Sequence, residues 1–172
     1  MTFPALNLLL PVVLAVHNYE QYSRYDEFVQ IYRPLVPERF ITRQVIRGAA
    51  IFLTVAVALL SALTYLSATA GLIDAAKVAT FALLLNAIAH CLQSLRRHRL
   101  TPGSFSAIAL VLPYTLAEIA AMRAWLGDSM ASLLRFALVG AIAVPIVAAV
   151  FTLLSYGVLR LATRLAVNRS VQ

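Results

Sequence analysis

Four side chains in this sequence combine reactive chemistry with helical spacing inside otherwise apolar runs: His17 with Glu20, and Asn86 with His90. Residues three or four apart share one face of a helix, so each pair points to one side, and Gln21 falls beside His17 for the same reason. Two such helices facing each other would present two imidazoles, a carboxylate and two carboxamides to one small pocket. Two chemistries fit that pocket. His17, Glu20 and His90 could ligate a divalent transition metal, since imidazole nitrogen and carboxylate oxygen are both ligands for such ions. Without a metal, Glu20 would orient and charge the His17 imidazole as an acid/base pair, with His90 as a second base and Asn86 as a hydrogen-bond donor. Two other uses stand beside these: hydrogen bonding across a bundle to fix helix register, and passage of an ion or solute.

The runs that carry these residues have membrane character. The chain has 172 residues, 62% hydrophobic and 12% charged, against a charged share of roughly 25% in soluble domains. At about 20 residues per membrane helix, that length holds about five spans and little else. The expected fold is all-α, a polytopic transmembrane helix bundle forming a single membrane domain over 1–172. Its spans should fall near 3–22, 48–70, 74–95, 102–126 and 129–161. The N-terminal run lacks a basic start and a small-residue cleavage pattern, so it is expected to be a retained first helix. Pro4 suits a first helical turn, whereas Pro11 and Pro145 should kink their helices. Gly71 is the expected stop of the second span and Asp74 the N-cap of the third. In the polar loop 23–47, Tyr25, Phe28, Ile31 and Tyr32 recur at helical intervals, which predicts a helix lying at the membrane interface. A polar or charged group in hydrocarbon costs about 2.5 kcal/mol or more on insertion scales, so the two pairs are the candidates for the working parts.

The net charge of +7 and pI near 10.2 would suit a nucleic-acid binder, but the basic residues are distributed as in a membrane protein. With five spans, all but Lys77, Arg123 and Arg135 of the 14 basic residues fall on one side, in loop 23–47, in Arg96, Arg97 and Arg99, or in the tail with Arg160, Arg164 and Arg169. Basic loops stay cytoplasmic, so the expected topology has the N-terminus outside and the C-terminus in the cytoplasm of a bacterial-type inner membrane. The expected partners are membrane lipids, with no nucleic acid; the oligomeric state is open. In this orientation His17, His90 and the Pro102-Gly103 start of the fourth span all lie toward the cytoplasmic side. Glu118 lies far from that depth and is assigned to structure, and Arg123 reaches outward to the surface. The Arg96-Arg97-His98-Arg99 turn could hold an anionic lipid headgroup, and the single cysteine, Cys91, reads as a buried structural thiol.

The run His17-Asn18-Tyr19-Glu20-Gln21, then Asn86-Ala87-Ile88-Ala89-His90, then Thr101-Pro102-Gly103-Ser104, resembles the HXXEE family of small membrane proteins. That family pairs an HxxEE motif in its first helix with N-xxx-H and PG motifs further on. The resemblance implies an integral membrane enzyme with His17, Glu20, Asn86 and His90 as its polar centre, Gln21 in support, and Pro102 and Gly103 shaping the start of the fourth helix. It departs at Gln21, where the family has a second Glu; a carboxamide is neither an anionic ligand nor an ordinary proton acceptor. The rival functions are a small transporter or channel component, and a structural or regulatory subunit without catalysis.

Overall fold

The structure, a computed structural model, describes residues 2–170, and side chains through Ala166. Arg169 of the basic tail therefore has its side chain outside the described set. The elements are α1 (Phe3–Asn7), α2 (Leu10–Ser23), α3 (Tyr25–Tyr32), α4 (Arg43–Ser67), α5 (Ala70–Arg97), α6 (Ser104–Leu126) and α7 (Met130–Ser170). The chain is an all-α bundle. Its last four helices are each long and apolar enough to cross a membrane, as backbone in lipid must be satisfied within its own segment.

The first apolar run departs from the expected single span. It is broken at Leu8 and Leu9, and neither α1 nor α2 alone reaches the length of a span. Pro11 supplies the cause, because it cannot donate to the Asn7 carbonyl and its ring crowds that turn. The two pieces still run antiparallel to α6 over its full height. Phe3 packs in one cluster with Met122, Tyr114 donates to the Leu6 carbonyl, His17 meets Ser106, and Arg24 donates to the Leu100 carbonyl. In the middle lie α4 and α5, with α7 against both on one side and the α1–α2 segment and α6 on the other.

Several helix ends differ from expectation for local reasons. Thr42 caps α4 by accepting from the Val45 N–H, so that helix starts before Gly48. It ends at Ala68, whose φ of 47° is left-handed; Gly71 is inside α5 and stops nothing. Asp74 is likewise inside α5, whose N-cap is Thr69, and pairs with Lys77 at 3.8 Å. Lys77, counted with an outer loop, is buried and bonded to Asp128 at 2.7 Å. Helix α6 widens into a π turn at Ala107–Val111, just ahead of Pro113, where the proline ring would clash with the carbonyl of the preceding turn. Small residues set the closest helix approaches: a Cβ on Gly140 would lie 2.9 Å from the Ala82 nitrogen, which fixes the α5–α7 contact. The helix expected over Tyr25–Tyr32 forms as α3, held by Arg24 to Glu27 and by the Tyr25 hydroxyl on the Ile41 carbonyl. The Arg24 hydrogen bond holds the Glu27 carboxyl below the usual range, and burial raises the Tyr32 hydroxyl.

Candidate functional site

The centre is built where α2, α5 and the start of α6 meet, at the arginine-rich end of the bundle. Thr101-Pro102-Gly103 turns the chain from α5 into α6. Gly103 adopts φ 88°, a conformation that L residues with side chains rarely hold. Space gives a second reason for glycine, since a Cβ there would sit 3.0 Å from His17 Cε1 and from Gln21 Cγ. The turn therefore brings backbone directly against the histidine.

Glu20 does not point to His17. Its Oε2 accepts from the Ser106 N–H at 2.7 Å and its Oε1 from the Phe105 N–H at 3.3 Å. These amides belong to the first turn of α6, whose N–H groups have no partner within the helix and whose dipole favours an anion. A carboxylate on one helix thus caps another. Ser94, Thr101 and Ser104 fasten the same junction: their hydroxyls lie 2.5 to 3.0 Å apart, and Ser104 donates to the His90 carbonyl.

His17 is fully buried and His90 is 3% exposed. Their rings meet edge to face with centroids 5.0 Å apart and planes at 75°. Ser106 fixes the proton on His17. Its hydroxyl donates to the Gly103 carbonyl at 3.2 Å, so toward His17 Nδ1, 2.9 Å away, it accepts. His17 is then the Nδ1–H tautomer, and its Nε2 lone pair faces inward. Two carboxamides meet that lone pair, Gln21 Nε2 at 2.8 Å and Asn86 Nδ2 at 3.0 Å. Gln21 Nε2 also lies 3.0 Å from His90 Nε2. The four residues form one network around the Gln21 amide.

The structure brings together His17, Gln21, Asn86 and His90, with Gly103 against them and Pro102 in the supporting turn. The expected ligand trio of His17, Glu20 and His90 does not gather: Glu20 serves the α6 amides, and no group of three His, Cys, Asp or Glu converges among the described residues. Two neutral imidazoles and two carboxamides supply no anionic ligand, so the donor set does not fit a divalent metal of the usual His and carboxylate type. Ser106 and the hydroxyl trio were missed by spacing; the only sequence signal was their crowding around the Pro102-Gly103 turn.

A family profile described as a protein of unknown function with HXXEE motif matches residues 8–118. The chain belongs to the HXXEE family. No curated protein and no solved structure matches it. The HXXEE match opens at the break in the first apolar run and closes at Glu118, so it takes in both the histidine network and its capping carboxylate. Read on the geometry, the two acids of the HXXEE motif occupy different places. The first, Glu20, caps α6. The position of the second, Gln21 here, is the one that touches both imidazoles.

Proposed function

We propose that this HXXEE chain is an integral membrane enzyme that acts on a lipid or another small membrane-embedded molecule by acid/base chemistry, from the arginine-rich, cytoplasmic side. One observation carries the reading. His17 Nε2 has a single lone pair but two carboxamide donors upon it, and one of these donors is shared with His90. The centre has more N–H groups than lone pairs to receive them. A substrate oxygen would take the spare donors from Asn86 and Gln21, releasing His17 Nε2 to accept a proton from the bound molecule, with His90 as the second acid or base. Gln21 is half-buried while His17 is sealed, so the Gln21 side chain is the cover that turns aside. Glu20, Pro102 and Gly103 are positioning residues that hold α6 and Ser106 against His17.

A transport role would need a polar route across the bundle. Leu10, Val13, Leu14, Leu83, Ala87, Ala107 and Val111 pack in one buried cluster beyond the histidines, which weighs against such a route. A packing-only role has one observation in its favour, the absence of any exposed surface on His17.

The test compares cellular lipid profiles from wild type, H17Q, N86A and H90Q at matched membrane levels. The enzyme reading expects wild type to shift specific lipid species and the three variants to lose that shift. Folded variants that leave the profile identical to wild type would instead support the packing role. A reporter fused to the C-terminus checks the proposed orientation, with activity expected in the cytoplasm.

A further inference from the structure

The opposite end of the α2–α6 contact holds a second polar centre that no motif points to. Glu118 and Asn7 are both fully buried there, with Thr80 beside them. Asn7 Nδ2 donates to Glu118 Oε1 at 3.0 Å, and Thr80 Oγ1 lies 2.5 Å from Oε2. Among the described residues no cation faces the carboxyl. From α5 comes Lys77, which is committed to Asp128 at 2.7 Å. From α6 come Arg123, which is exposed, and Tyr114, whose hydroxyl lies 3.2 Å from the Leu6 carbonyl and also within hydrogen-bond reach of Glu118. From α7 comes Arg135, which is exposed and lies over the Phe136 ring. Helix α1 and the adjoining half of α4 bring no charged side chain.

The balance of charge decides what occupies this place. The Thr80 hydroxyl has one proton and two oxygens before it, Glu118 Oε2 and the Ala76 carbonyl at 3.1 Å. The Ala76 carbonyl already serves the N–H of its own helix, so the Thr80 hydroxyl donates to Glu118 over the shorter contact. Asn7 Oδ1 is buried without a partner among the described residues, so the centre adds a polar oxygen and no positive charge. An ionised carboxylate there would be a buried charge with no counter-ion, which is strongly unfavourable. We infer that Glu118 is protonated, and that this sealed centre is a proton-binding site separate from the histidine network.

Infrared spectroscopy of the protein in lipid bilayers near neutral pH reads this directly. Wild type should show a protonated-carboxyl C=O band that E118Q lacks, that moves in T80A and that stays in place in H17Q. E118Q should also melt close to wild type, because an uncharged carboxamide can bond Thr80 and Asn7 as the uncharged acid does. A wild-type spectrum without the acid band, or one whose band persists in E118Q, overturns the inference. If E118Q does not fold, T80A decides alone: a shifted band supports the assignment and an unmoved band overturns it. Loss of the lipid effect in H17Q has no bearing on this band, so the two readings fail separately.

Discussion

The same two elements, the α1–α2 segment and α6, hold a polar centre at each end of their contact, and the two centres differ in kind. At the arginine-rich end, amide N–H groups outnumber the imidazole lone pairs that receive them, and half-buried Gln21 lies over the network. At the opposite end a carboxyl group meets no cation among the described residues, and Asn7, Thr80 and Glu118 are completely enclosed. A centre with spare donors and a movable cover can receive the oxygen of a ligand. A carboxyl group with no cation and no opening is suited to hold a proton and to lock two helices. Between them lies the apolar cluster of Leu10, Val13, Leu14 and Val111, so each centre can be altered without touching the other.

The largest effect should come from the sealed end. Glu118→Ala leaves Asn7 Nδ2 and Thr80 without their partner and opens a cavity, which should lower stability by about 2–5 kcal/mol. Thermal unfolding in detergent checks this, and a variant as stable as wild type would erase the contrast between the ends. Gly103→Ala should follow, at about 1–3 kcal/mol, because φ 88° is strained for alanine and the new Cβ meets His17 and Gln21 at 3.0 Å. It should also disorder the histidine network. Gly71→Ala is its control, since nothing lies within 4 Å of a Cβ there and helix propensity predicts a small gain, about 0.5–1 kcal/mol.

Much of this was legible in the residues. Helical spacing alone put His17 and Gln21 on one face and Asn86 and His90 on another, and charge asymmetry put both at one level. The direction of Glu20 was not legible, because it depends on where α6 begins, and two amides of a distant segment outweigh any neighbour on its own helix. Pro11 announced a kink, but the extent of the break at Leu8 and Leu9 depends on what Asn7 and Leu6 find across on α6. Lys77 read as a loop charge because its partner Asp128 sits 51 positions away. Glu118 was recognised as deep, and its packing role rests on Asn7, an uncharged residue that spacing rules pass over.

Gln21→Glu sharpens the comparison by reversing the balance at the arginine-rich end. A carboxylate between two imidazole Nε2 atoms makes a His–Glu–His set, so Co²⁺ or Zn²⁺ should bind about 10-fold or more tighter than to wild type, the scale of a single change around a metal site. Calorimetry with each ion alone reads it, and equal affinity for both proteins would show that position 21 does not face a common point. The smallest effect concerns α3. Glu27 has its carboxyl held below the usual range by Arg24, so the pair contributes above the ordinary carboxylate range and is lost as pH falls through the lowered value. Being exposed, it should give only a slight acid-side loosening of α3 in amide exchange, absent in E27Q.

The central claim is that His17 presents an unprotonated Nε2 to the Gln21 amide. With only 3 histidines in the chain, ¹⁵N NMR of histidine-labelled protein in bilayers, assigned with the H90Q and H98Q variants, measures it directly. The account predicts a neutral His17 with Nδ1 protonated and Nε2 bare, and a Nε2 resonance that moves when Gln21 is replaced by Ala. A His17 protonated on Nε2, or one indifferent to Gln21, would contradict it.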